Sequence, residues 1–292
     1  MSATVHDTSG STPTAEIAVT GVTGRLGGRV ARRLAGSGLR QTMLARSPER
    51  APRLPGAETR YAEFGDHDSS VRALRGARRV LMVSASESAE RVSQHRSFVD
   101  AAVEAGVRHL VYVSFQGAAP DATFTLARAH WETEQHIRAS GLDFTFLRDN
   151  FYAELMPELV EADDVLRGPA GDGRVAVVSL EDVAEAATAV LTTPAEHLGS
   201  TYDLTGPRAL TLYEVAEVLS EAAGRVITYR PESVAEAYRS RASHGVPEWQ
   251  LDAWVSTYTA IANGELAETS RAVPRLTGHP ATPLAAVVEG RI

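Results

Sequence analysis

The stretch from Ile17 to Gly28, IAVTGVTGRLGG, restricts this chain more than any other. Ile17, Ala18 and Val19 form the short apolar run of a buried parallel strand. Glycines follow at Gly21, Gly24 and Gly27, and from Leu26 the apolar positions Leu26, Val30 and Leu34 recur every four residues, as in a helix. Strand, glycine-rich turn and helix form the opening unit of a dinucleotide-binding fold. The first glycine permits a tight reversal, the second lets a pyrophosphate approach bare backbone, and the third lets helix and strand pack closely. The helix N-terminus then presents free N–H groups and a partial positive charge to phosphate. Gly21, Thr23, Gly24, Arg25, Leu26 and Gly27 are therefore the candidate grip on a dinucleotide.

The rest of the chain narrows the chemistry by what it lacks. At 292 residues it can bury the core of one large α/β domain with a smaller lobe. A net charge of -8 argues against a phosphate-backbone binder, so no nucleic-acid partner is expected. There are no cysteines, which removes disulfides, thiol nucleophiles and thiolate metal sites, and no metal centre is expected. No apolar run reaches the ~20 residues of a membrane helix, so no membrane partner is expected either. Residues 1–14 are polar, lack the order of a secretory leader, and read as a disordered tail of a cytoplasmic protein. All 29 basic residues are arginine. Without lysine there is no Schiff-base chemistry, and no Tyr-x-x-x-Lys pair with which ordinary short-chain dehydrogenases tune a catalytic tyrosine. Arginine stays charged and is no substitute.

Along the chain, strands read at Gln41–Ala45, Arg60–Ala62, Arg79–Ser84, His109–Phe115, Phe144–Leu147, Arg174–Val178 and Thr201–Leu204, with helices between most of them. After the second strand, where NAD binders place an acid, stands Arg46, with Ser47 and Arg50 close by. This favours a 2′-phosphate and NADPH, with NADH still possible. Asp66 is a candidate for the adenine edge, and Asp68 or Ser69 for the cap of the next helix. Ser84, Ala85 and Ser86 fall where the nicotinamide half would lie. His95 sits on an apolar helical stripe and reads as a packed histidine. Ser114, at a strand end, is placed for a substrate oxygen. His130 and Glu134 share a helix face, where a carboxylate can hold and charge an imidazole to make a proton donor, or simply form an exposed ion pair. Residues 154–173 read as an irregular acidic cover, and Asp182 as a helix cap, with an approach to the active site as the alternative. The aromatics of 248–262, among them Trp249, either line a pocket or fill a core.

The turn TGVTGRLG, the arginine after the second strand, and the run HWETEQHIRASGLDFTFLRDNFYAE together resemble the NmrA-like atypical short-chain dehydrogenases. The likeness is to their bacterial NAD(P)H quinone oxidoreductase and triphenylmethane reductase branch. It extends through 173–205 and around 245–247. It implies a Rossmann-type doubly wound parallel sheet over 15–150, completed by 173–206, with a small α/β C-terminal substrate lobe from 151–172 and 207–292. It implies NADPH, with Arg46 on the 2′-phosphate, a histidine at His130, and a substrate-facing segment after strand six, where this chain has Asp149 before Asn150 and the family usually has Arg-Asn. The expected activity is hydride transfer to a planar electron-poor small molecule such as a quinone. Ser114, His130 or Tyr152 would bond the oxygen that gains charge, and Phe115, Asn150, Phe151 and Trp249 would line the substrate. The protein would be a monomer or homodimer. A non-catalytic dinucleotide-sensing regulator and a biosynthetic ketone or imine reductase remain open alternatives.

Overall fold

A computed structural model describes residues 16–290, so the expected tail at 1–14 lies outside the described residues. The strands are β1 (Ile17–Val19), β2 (Gln41–Ala45), β3 (Ala57–Tyr61), β4 (Arg79–Met82), β5 (His109–Phe115), β6 (Asp143–Asp149), β7 (Val165–Gly168), β8 (Arg174–Val175), β9 (Thr201–Leu204), β10 (Leu210–Thr211) and β11 (Thr228–Pro231). The helices are α1 (Arg25–Gly36), α2 (His67–Leu74), α3 (Arg91–Glu104), α4 (Thr125–Ala139), α5 (Leu180–Thr192), α6 (Leu212–Ala223), α7 (Val234–Ala242), α8 (Glu248–Ala262), α9 (Ala272–Thr277) and α10 (Leu284–Val288).

Seven strands form one parallel sheet in the order β3-β2-β1-β4-β5-β6-β9. The two-residue alternation of a strand decides its layers. Ile17, Val19, Leu81, Val111 and Val113 face one core, shared with α1 and α5. Ala18, Val80, Met82, Leu110 and Tyr112 face another, shared with α2, α3 and α4. Because both faces are covered, the strands read as continuous apolar runs, and this is why they were legible. The strand order reverses between β1 and β4, which opens a crevice at the carboxyl ends of the strands.

A second lobe has its own core of residues such as Met156, Leu166, Leu212, Val215, Tyr258 and Ile261. The expected irregular cover at 154–173 is in fact ordered. A 3₁₀ turn spans Ala153–Leu159, and β7 pairs in parallel with β11 in a two-stranded sheet. Strand β8 pairs with β10 rather than joining the main sheet. The lobe boundary is also crossed later, since Val273 and Ala281 return to the core of α1 and α5. Two caps differ from expectation. Asp66 accepts from Ser69 N and caps α2, in place of Asp68 or Ser69. Ser179 caps α5, while Asp182 accepts from the backbone and hydroxyl of Thr282 at 2.7 Å each, pinning the C-terminal segment. Among the described residues no helix is long and apolar enough to cross a membrane.

Candidate active site

The glycine-rich turn has the shape a pyrophosphate needs. Gly21 has φ +65°, a left-handed conformation that favours glycine. A Cβ on Gly27 would lie 2.4 Å from the carbonyl oxygen of Thr20 and 2.5 Å from that of Gly21, so only glycine lets α1 approach β1 this closely. The turn is tied to the sheet by Thr20, whose hydroxyl accepts from Val83 N at 2.8 Å. No side chain caps α1, and Thr23, Gly24 and Arg25 are exposed at its start. An uncapped N-terminus behind a close-packed glycine turn fits a diphosphate. Leu26 is buried, so it offers a ligand only its backbone. Arg25 pairs with Glu158 of the second lobe at 2.5 Å.

Arg46 is exposed just past β2 and makes no hydrogen bond or ion pair among the described residues, which leaves its guanidinium free for a 2′-phosphate. Arg46→Ala is expected to weaken NADPH binding about 10- to 100-fold while leaving NADH unchanged, as read by fluorescence titration of both nucleotides. Equal losses for the two would remove Arg46 from the 2′-phosphate. The carboxylate of Asp66 is held by its helix, and burdened with that cap it has one oxygen left for an adenine. Ser84, Ala85 and Ser86 form the loop after β4, where Ala85 N donates to His95 Nε2 at 2.9 Å. His95 is thus the packed histidine expected, fully buried, with its Nδ1 2.9 Å from the Thr133 hydroxyl. Burial and then the charge of Arg91 pull its pKa down to about 3.

The expected ion pair between His130 and Glu134 does not form. They share a helical turn, but each turns to a different neighbour. His130 Nε2 lies 3.1 Å from Arg91 Nη2 and its Nδ1 2.9 Å from the Tyr112 hydroxyl. A guanidinium can only donate, so Nε2 accepts and the ring proton sits on Nδ1, directed at Tyr112. Burial first, then the charge of Arg91, holds the His130 pKa well below its ordinary value. The imidazole is neutral and is not the charged proton donor that the spacing suggested.

Glu134 is fully buried and takes a bidentate grip from Arg148, with Nε and Nη2 at 2.8 and 2.7 Å, a further bond from Arg138 at 3.2 Å, and the Ser114 hydroxyl at 2.7 Å. The Ser114 hydroxyl therefore points at Glu134 rather than at open space. The pairing of β5 with β6 puts Asp149 opposite Phe115 inside the strand, not in a loop after it. Asp149 is buried and accepts a short hydrogen bond from the Tyr152 hydroxyl. Burial pushes its carboxyl up to about 8, against the opposing pull of Tyr152 and Arg91. Tyr152 in turn is held well above its ordinary pKa by burial and by Asp149. The partner of this tyrosine thus acts in the opposite sense to a lysine, tightening its proton. Asn150 is almost wholly buried, with its amide donating to Gln116 Oε1 at 2.6 Å and Leu266 O at 3.0 Å, and its oxygen accepting from Phe151 N at 2.7 Å. Those bonds use it to brace the two lobes and leave it little to offer a substrate.

Phe115, Phe124 and Phe151 pack as a triangle with centroids 5.0 to 5.4 Å apart, and Phe115 lies 6.1 Å from the His130 ring. Trp249 is half-buried at the start of α8, beside Gln250, which reaches Glu87 in the loop after β4 at 3.5 Å. Tyr258 and Ile261, by contrast, belong to the second core. Among the described residues no group of three His, Asp or Glu side chains is placed to hold a metal. Arg91 and Tyr112 are the members of this cluster that sequence reading passed over, and Asp149 was noted there only as a departure from the family's Arg-Asn. Only Asp149 carried a signal there, as a carboxylate at the end of an apolar strand.

Comparison with known proteins identifies the family and fold. The sequence profile described as the NmrA-like family matches residues 13–248. The chain is 35% identical over 277 residues to quinone oxidoreductase 2 of Escherichia coli, covering 92% of this chain and 96% of that one. The solved structure of that NADPH-dependent quinone oxidoreductase complexed with NADPH superposes with a TM-score of 0.85 at 33% identity, covering 94% of this chain and 99% of the other. The triphenylmethane reductase of Citrobacter sp. complexed with NADP(H) gives 0.82 at 31% identity, covering 94% and 100%.

Proposed function

The chain belongs to the NmrA-like family as an NAD(P)H-dependent oxidoreductase of its quinone and triphenylmethane reductase branch, and from that premise we propose that it uses NADPH to reduce a planar, electron-poor small molecule such as a quinone. The observation that carries the reading is the pair Tyr152–Asp149. A tyrosine whose proton is tightened rather than loosened is a poor acid for a simple ketone. A quinone needs less help, because its reduced form is aromatic and the charge on its oxygen is delocalised. Bound NADPH supplies the hydride. The chain's own part is to hold the acceptor flat against Phe115 and Phe151, exclude water, and keep a proton at Asp149 behind the Tyr152 hydroxyl. The direct test is NADPH consumption with a panel of quinones and of simple ketones. Turnover is expected with quinones and not with ketones. Tight NADPH binding with no turnover on any acceptor would sink this reading in favour of a regulator.

The pH dependence follows from Asp149. Its carboxyl carries a proton below about 8 and loses it above, so turnover is expected to fall as pH rises through about 8. Asp149→Asn should remove that alkaline limb and lower turnover about 10- to 100-fold. Stability carries the same signature. A carboxyl that binds its proton more tightly when folded contributes stability fully below its model value of 3.8, and loses it as pH rises to about 8. The melting temperature of the native chain should decline across that window, and that of Asp149→Asn should not. A wild-type rate that stays flat through the window would exclude Asp149 as the proton store.

A further inference from the structure

The start of α3 and the loop just before it hold two buried polar groups without a partner among the described residues. Among the described residues neither Arg91 Nε nor the Ser88 hydroxyl has a hydrogen-bond partner, and the backbones of the two residues are joined by a bond from Arg91 N to Ser88 O at 3.3 Å. Arg91 is only 6% exposed and forms no ion pair among the described residues. Its one side-chain hydrogen bond among the described residues is with the neutral imidazole of His130. Around it lie His95 from its own helix, Tyr112 from β5, and Asp149 and Tyr152 from the end of β6. Of these only Asp149 could balance its charge, and burial keeps that carboxyl protonated at neutral pH. A buried cation without a counter-ion is strongly destabilising, and a native fold retains one where an anion arrives to pair with it.

We propose that Arg91, braced by His130, receives the substrate oxygen that becomes negative as hydride is delivered. This rests on the reductase reading above. Reduction moves two electrons and one hydrogen from the dihydronicotinamide, which is oxidised, to the acceptor. The hydride bonds to one carbonyl oxygen of the quinone, both carbonyl π bonds are drawn into the ring as it becomes aromatic, and the second oxygen is left with an electron pair as a phenolate. That oxyanion pairs with the Arg91 guanidinium, with the Ser88 hydroxyl as a second donor, and then takes its proton from the Tyr152–Asp149 side. The guanidinium is the stronger in the transition state because the oxygen is neutral before transfer and charged after it. His130 holds the guanidinium in place, which gives that histidine a positioning role rather than an acidic one.

The test uses 4-nitrophenol as a non-reducible stand-in for the phenolate, bound to the full chain loaded with NADP+. Its ionisation is read from the colour of the anion. The wild-type protein is expected to lower the apparent pKa of bound nitrophenol by about 1 unit or more, Arg91→Lys to keep part of that shift, and Arg91→Gln to abolish it. Arg91→Gln is also expected to lower quinone turnover about 100-fold while NADPH affinity changes less than about 2-fold. Nitrophenol that fails to bind, or binds with an unshifted pKa, overturns the proposal whether or not Arg91→Gln folds. So does a Gln variant that shifts the phenol as the wild type does, or one whose main loss is NADPH affinity, which would assign Arg91 to the dinucleotide. Should the wild type reduce no quinone yet show a shift that Arg91→Gln removes, the anion site stands and the quinone assignment alone falls.

Discussion

Gly27→Ala is expected to abolish NADPH binding and to destabilise the protein by about 2–4 kcal/mol, whereas Gly36→Ala in the same helix should stabilise it by about 0.5–1 kcal/mol. The contrast comes from the neighbours. A methyl at Gly27 meets two backbone carbonyl oxygens, at 2.4 Å on Thr20 and 2.5 Å on Gly21, and backbone cannot rotate away as a long side chain can. Helix α1 must then back off from β1, opening the core made by Val30, Leu34 and their partners and moving the uncapped N–H groups away from the pyrophosphate position. A methyl at Gly36 meets nothing within 4 Å, and Ala loses less backbone entropy on folding than Gly. Thermal melts of the two variants and a NADPH titration decide the matter. A Gly27→Ala protein that binds NADPH normally would mean that the turn is not the pyrophosphate grip.

The second large effect is at Glu134. Replacing it with Gln should lower stability by about 3 kcal/mol, the lower end of the range for breaking a buried ion pair, because Arg148 and Arg138 keep some solvent. The melting temperature should fall by roughly 6–12 °C for a chain of this size. The cause is less the lost attraction than the Arg148 guanidinium left in a half-buried position without its bidentate partner, which otherwise raises that guanidinium's pKa through the shared hydrogen bonds. Arg148→Met on top of Glu134→Gln should recover part of the loss, since the stranded charge is then gone. If the double variant is as unstable as the sum of the singles, the two residues do not act as a pair. Quinone turnover in Glu134→Gln should fall far less than in Arg91→Gln, because Glu134 reaches the reacting centre only through Ser114 and Arg148.

Much of the fold was readable from residue order because its signals are local. The run from Ile17 to Val19, the glycines after it and the four-residue recurrence from Leu26 describe a strand, a turn and a helix without help from the rest of the chain. The ranges read for β2, β5 and β9 coincide with those of the structure for the same reason: buried parallel strands are continuous apolar runs. Strand β7 was not read and β8 was read too long, because each is held by one partner distant in sequence, β11 and β10, and such short ladders leave little pattern of their own. Asp182 shows the same limit. At the start of a helix it has the sequence of a cap, yet its carboxylate is taken by Thr282 at the far end of the chain.

At the site the division is sharper. Sequence alone determined the dinucleotide turn, the arginine past β2 and the absence of any lysine to tune a tyrosine, because each depends on residue identity at a fixed place. Tertiary structure decided who meets whom. Helical spacing puts His130 and Glu134 on one face but does not say that Arg91 arrives from α3 to claim one and Arg148 from β6 to claim the other. Nor does it say that Asp149 lies buried against Tyr152 and therefore keeps its proton. Protonation and partner choice depend on burial and on charges brought in from other elements, and those exist only once the chain has folded.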